Sequence, residues 1–163
     1  MSKLRRTIRR LSDPRDLWLF LQILIVLILL PRLIRNKSLP DLLRELDPGV
    51  APPEHQIDAP SRDKLEKTVG FVDSLLRYRV FQRYGKCLLR SLILFRFLRS
   101  QGWPVEIHFG VRKTGEAQVD YAAENGAFRM GITGHSWLVM EGEPFLENPE
   151  QATGFSTTYR YPD

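Results

Sequence analysis

From Leu17 to Leu30 every side chain is apolar except Gln22, and the run closes on Pro31-Arg32-Leu33-Ile34-Arg35. Asp13 followed by Pro14 marks its start. An aspartate oxygen can accept from the first free amides of a helix, and proline suits the first helical position, where no N–H is needed. Apolar residues cover the whole circumference, so this is not a one-faced surface helix. A bilayer span takes about 20 apolar residues, and this core is shorter. A secretory signal would end in small residues at a cleavage site, where this chain has proline and arginine. A spanning helix, a buried core helix and a helix lying in or dipping into a bilayer are the readings left. Basic residues on both flanks (Lys3, Arg5, Arg6, Arg9 and Arg10 before, Arg32 and Arg35 after) and Trp18 near one end favour the bilayer. Residues 17–34 are therefore expected to associate with a membrane, and Lys/Arg on both sides leaves the orientation unset.

Residues 36–60 carry a short amphipathic piece, Leu39 to Leu46, and then Asp47-Pro-Gly-Val-Ala-Pro-Pro-Glu-His55, a linker in which His55 reads as a solvated loop histidine. From Ser61 the period of a helix sets in, with Leu65, Val69, Val72 and Leu76 on one face and Asp63 in the first turn. A second helix begins at Cys87. Leu88, Leu92, Phe95 and Leu98 form one stripe and Leu89, Ile93 and Phe97 its neighbour. Only Arg90, Arg96 and Arg99 break the apolar surface, and Gly102 ends the helix. Such a helix belongs at the centre of a core. The period then changes to two: Val105, Ile107, Phe109 and Val111 alternate with Glu106, His108 and Gly110, a half-buried strand. Residues 112–133 read as a long hairpin or loop, and Gly134 to Glu147 as two strands around a turn at Gly142. Helices first and antiparallel strands after them predict an α+β fold. The sequence divides into a basic and hydrophobic helix (1–37), an amphipathic piece with a Pro-rich linker (38–60) and a folded domain (61–163).

Charge sharpens this division. Of the 163 residues, those in 1–37 include nine Lys/Arg against two Asp, whereas the remainder holds fifteen basic and seventeen acidic residues. The net charge of +5 is thus an N-terminal property. No stripe of Lys/Arg with aromatics follows in the body, so nucleic acid is not an expected partner. Cys87 is the single cysteine, which rules out an internal disulfide and a CxxC zinc or redox site. No cofactor or metal is expected.

A lone cysteine is most often a small buried hydrophobe, but Gly85-Lys86 places Cys87 at the start of the central helix. There, free amides and the positive end of the helix dipole stabilise a thiolate and could bind an oxyanion. His135 is the candidate base. If strands 2 and 3 join through a three-residue loop, Met140-Glu141-Gly142, Val139 pairs with Glu143 and His135 stands opposite Glu147 on one face. Glu147 would then fix the imidazole tautomer and leave the other nitrogen to the thiol. If the loop is the two-residue Glu141-Gly142, the two side chains point to opposite faces. His108 is a rival base, and Glu141 and Glu143 are rival acids that fall in the turn.

The segments Cys87-Leu-Leu-Arg-Ser-Leu, Leu98-Arg-Ser-Gln-Gly-Trp-Pro-Val-Glu-Ile-His-Phe-Gly-Val-Arg112 and Gly134-His-Ser-Trp-Leu-Val-Met-Glu-Gly-Glu-Pro-Phe-Leu-Glu147 resemble the peptidase component of lasso-peptide maturation, a bacterial branch of the transglutaminase-like superfamily with a papain-like Cys-His-acid site. The resemblance covers about residues 60–150, and the apolar segment ahead of the core is also similar. It implies a cysteine peptidase, at the cytoplasmic side of the inner membrane, that removes the leader from a ribosomally made precursor peptide. It also implies two partners, a separate leader-recognition protein and an asparagine-synthetase-like cyclase. By motif position Cys87 takes the nucleophile's place, His135 the base's and Glu147 the acid's. Two alternatives stand beside it: a transamidase on the same fold, and a membrane-anchored peptide-binding module without catalysis.

Overall fold

The computed structural model describes residues 13–49, 61–82, 84–113, 132–148 and 154–162. The basic cluster from Lys3 to Arg10, His55 with Pro52 and Pro53, and residues 114–131 of the expected hairpin lie outside them.

Helix α1 spans Pro14–Asn36, and the Asp13 carboxylate caps it by accepting from the Arg15 amide at 2.9 Å. Its two sides have different fates. Ile23, Leu27 and Leu30, spaced four and three, are fully buried, as a stripe facing a core requires. Asp16, on the same side, is paired with Lys67 at 3.0 Å. Leu17, Trp18, Leu21, Ile25, Ile28 and Leu29 occupy the opposite side and are exposed. Helix α2 (Leu39–Leu46) follows and buries Leu42, Leu43 and Leu46; Asp47 at its end is held by Arg99 at 2.7 Å. Helix α3 spans Arg62–Leu75, and a short α4 (Arg79–Gln82) that the sequence pattern did not announce leads to α5 (Lys86–Ser100). Leu89, Leu92, Ile93, Leu94, Phe95 and Leu98 of α5 are fully buried, so it is the central helix the sequence predicts. One hydrophobic cluster joins the inward residues of α1 and α2 to those of α3 and α5. The packing therefore crosses the positions where the sequence divides.

The four strands β1 (Glu106–Lys113), β2 (Ile132–Met140), β3 (Glu143–Phe145) and β4 (Ser156–Tyr161) form one antiparallel sheet in the order β3-β2-β1-β4. Architecture and strand direction are those of an α+β fold. β4 is not among the strands that the sequence analysis predicts; it pairs with β1. One sheet face, with Ile107 and Leu138, packs into the helical core, where the rings of Phe95 and Tyr161 meet at 5.8 Å. His108, His135 and Trp137 share the other face.

The β2–β3 turn decides between the two loops that the sequence allows. Met140 pairs with Glu143 and Val139 with Pro144, so the connection is the two-residue Glu141-Gly142. Both residues have positive φ, 54° and 83°, the mirror-image turn whose twist matches that of the strands it joins. Glu141 accepts the left-handed conformation, and no third loop residue is needed.

Candidate active site

Gly85 precedes α5 at φ 84°, a value that costs glycine little. Its carbonyl accepts from the Leu89 amide at 3.2 Å, opening the helix. Cys87 is the second helical residue, among amides that have no partner within the helix. Its half-buried sulfur is hydrogen-bonded by the backbone amides of Leu88 and Ser136 and by the His135 ring. The short β3 makes the Ser136 contact possible, because it stops at Phe145, opposite Leu138, and leaves the edge of β2 open at Ser136. The buried Ser91 hydroxyl of α5 donates to the Ser136 carbonyl at 2.8 Å. Both backbone polar groups of Ser136 are thus taken by α5, which fixes the helix start against the strand.

The His135 ring is wedged between aromatics, stacked on Trp137 at 5.8 Å and against Phe155 at 5.1 Å. Its Nε2 faces Glu147 Oε1 at 3.6 Å, just beyond hydrogen-bond distance, and is buried without a hydrogen-bond partner among the described residues. The observed register would set Glu147 opposite Ser136 and turn it away from His135. A bend overrides that register. Leu146 has φ 58°, left-handed for a branched non-glycine residue, and this single residue brings Glu147 round to the histidine's side. His135 Nε2 and Glu147 Oε1 therefore lie 3.6 Å apart by a route other than cross-strand pairing.

The charges support a thiolate. Burial resists ionisation of Cys87, but the His135 hydrogen bond, the histidine's charge and the amides of Ser136 and Leu88 outweigh it and hold the thiol below its ordinary value. Contact with Cys87, then with Glu147, raises His135 to about 9 against the opposing effect of its burial. A thiolate beside an imidazolium has both the nucleophile for a carbonyl and the proton for a leaving amine, which is the equipment of acyl transfer. The rivals stand elsewhere: His108 Nε2 is taken by Glu106 at 2.9 Å, and Glu141 and Glu143 are exposed.

Three neighbours escaped the sequence reading. Phe155 covers the histidine, and nothing in its surroundings signals this. Arg90 was visible only as a charge on an apolar helix; its Nη1 lies 3.7 Å from Glu147 Oε2. Asp73 pairs with Arg90 Nε at 2.8 Å and looked like an ordinary exposed position of α3.

Fold and site together define a protein built around a helix-start thiol and a strand-borne imidazole. The chain belongs to the transglutaminase-like superfamily, whose family model matches residues 26–160, a superfamily made up typically of cysteine proteases and transamidases. The match begins inside α1, consistent with the packing of that helix into the common core. Comparison with curated proteins and with solved structures gave no match.

Proposed function

We propose that the protein is a cysteine peptidase that removes the leader from a ribosomally made precursor peptide, in maturation of the lasso-peptide type, with Cys87 as nucleophile, His135 as acid and base, and Glu147 as the group that orients the ring. The observation that carries the reading is the Cys87 sulfur held at the start of α5 by the His135 ring and two backbone amides. The thiolate adds to the scissile carbonyl, and the oxyanion that forms meets the free amides of the first turn of α5. His135 gives its proton to the amine nitrogen, the C–N bond breaks, and an acyl thioester remains on Cys87. Water then gives a proton to His135 and attacks the thioester carbon; the C–S bond breaks, releasing the acid and regenerating the pair. The leader specificity, the leader-recognition protein and the cyclase rest on the motif resemblance. The test is incubation of the purified protein and its Cys87→Ala variant with a leader-bearing precursor and the recognition protein, followed by mass spectrometry. Cleavage at one bond by the parent alone supports the reading, and equal cleavage by both ends it.

The same acyl thioester would pass to an amine if one reached it before water, so a transamidase differs only in the acceptor. Adding a primary amine to the incubation separates them, because a conjugate in place of the free acid marks transfer. A non-catalytic peptide-binding module would leave Cys87 unreactive towards iodoacetamide.

Helix α1 is long and apolar enough to cross a membrane, and the reading places the enzyme at the cytoplasmic face of a bacterial inner membrane, with α1 lying flat on it. Spanning would strip Ile23, Leu27 and Leu30 from the core and part Asp16 from Lys67. Docked as it is, α1 offers lipid only its outer side, where Trp18 is 63% and Ile28 56% exposed. Arg32 and Arg35, exposed beyond the apolar stretch, suit anionic headgroups. Sedimentation with phosphatidylglycerol vesicles tests this. Parent protein should pellet with them and Ile25→Glu/Ile28→Glu should not, whereas a parent that stays in the supernatant removes the proposal.

A further inference from the structure

We infer that Arg90, braced by Asp73, is a positioning residue that holds the Leu146–Glu147 bend so that Glu147 meets His135. The inference rests on the proposed Cys87–His135–Glu147 reading and deepens it. Arg90 stands three residues after Cys87 on α5, so both project from one helix face. Its guanidinium is largely buried and divided among three groups. Nη1 donates to the Leu146 carbonyl at 3.1 Å and lies 3.7 Å from Glu147 Oε2, while Nε donates to Asp73 Oδ1 at 2.8 Å. Glu147 divides its oxygens correspondingly, Oε1 towards His135 and Oε2 towards Arg90. A row of side chains, Asp73, Arg90, Glu147, His135 and Cys87, leaves α5 through Arg90 and returns to it at Cys87.

This arrangement accounts for the bend. Leu146 gains nothing from a left-handed φ by itself, and the register of β3 would carry Glu147 to the wrong face. A charged donor on the Leu146 carbonyl stabilises the bent backbone, and the same cation meets the carboxylate that the bend delivers. Since one rigid helix carries both the nucleophile and the clamp, the separation of Cys87 from Glu147 is set by helix geometry and not by the mobility of a strand end. Asp73, from α3, stops the guanidinium from rotating away.

An arginine that merely neutralised Glu147 would have the opposite electrostatic signature. If Glu147 keeps its place without Arg90, removal of a nearby cation lifts the His135 ring above its value of about 9. If Glu147 leaves, the ring loses its anion and titrates lower. The experiment is NMR titration of the His135 ring in the parent, Arg90→Met and Arg90→Lys, with a thermal melt of each. Arg90→Met should lower the ring's midpoint by about one pH unit. Arg90→Lys, which keeps a charge but lacks the fork to serve three acceptors, should lower it by less. A midpoint that rises or stays in place in the folded variants overturns the inference. Should Arg90→Met fail to fold, the direction in Arg90→Lys decides. The titration uses no substrate, so a parent that cleaves no precursor would defeat the peptidase reading while the clamp could still be read.

Discussion

Glu147 reaches His135 through a bend: its Oε1 stands 3.6 Å from the ring Nε2 because Leu146, at φ 58°, reverses the side on which the next residue falls. A left-handed φ costs a non-glycine residue about 1–2 kcal/mol, so the conformation at position 146 is under tension. Asparagine tolerates it, and a β-branched residue resists it. Leu146→Val should therefore lower kcat/KM at least tenfold with the fold retained. Leu146→Asn should lose packing and melt earlier while keeping most of its activity. Circular dichroism melts together with precursor cleavage check both. The reverse order of activities would show that packing at Leu146 matters and the bend does not.

The Cys87 thiol is balanced between burial, which raises it, and His135 with two amides, which lower it further. In the parent, the rate of alkylation by iodoacetamide should therefore turn on below the ordinary thiol value of about 8.5. His135→Phe keeps the sulfur covered but removes its partner. The midpoint should then move up, because the largest influence that lowers it is gone and burial remains. Alkylation rates across pH 5–10 measure this, and an unmoved midpoint would mean that His135 does not govern the sulfur.

Activity needs the thiolate and the imidazolium together. It should rise as pH climbs through the depressed thiol value and fall as pH passes about 9, where His135 loses its proton. Glu147 helps to keep that proton on the ring. Glu147→Gln, of similar size and uncharged, should bring the basic limb to lower pH. It should also reduce kcat/KM at the optimum by roughly a hundredfold, the lower end of what general acid–base catalysis contributes. A basic limb left near the parent's position would remove Glu147 from the site.

Gly110 pairs with His135 across β1 and β2, and a methyl group there would lie 2.8 Å from Trp137 Cη2 and 3.0 Å from the Ser156 carbonyl. The indole stacked on His135 and the backbone of β4 cannot both yield. Gly110→Ala should cost about 1–3 kcal/mol, as overpacking does, and should disturb His135 through the displaced Trp137. A lower melting temperature accompanied by a lower kcat is the expected pair of results.

Much of the scaffold is legible without coordinates, for local reasons. Asp13-Pro14 starts α1, the two apolar stripes after Cys87 make α5 central, and alternation from Val105 makes β1. Where the pattern gave no sign, structure arises from partners distant in the chain. β4 is a strand because β1 has a free edge, and α4 is a short link between two helices. For α1, the all-round apolar surface could not say which side faces the core; packing against α3 and α5 chose Ile23, Leu27 and Leu30.

The site divides along the same line. The sequence by itself named the candidate groups, since one cysteine at a helix start, a histidine on a strand and a glutamate beyond the following turn are set by type and local position. Only the tertiary structure decided how they meet. The turn took the register that separates His135 from Glu147, and the approach was restored by a backbone dihedral at Leu146 and an arginine from α5. A dihedral of that kind leaves no periodic trace in a sequence, because it is fixed by contacts between residues 56 positions apart.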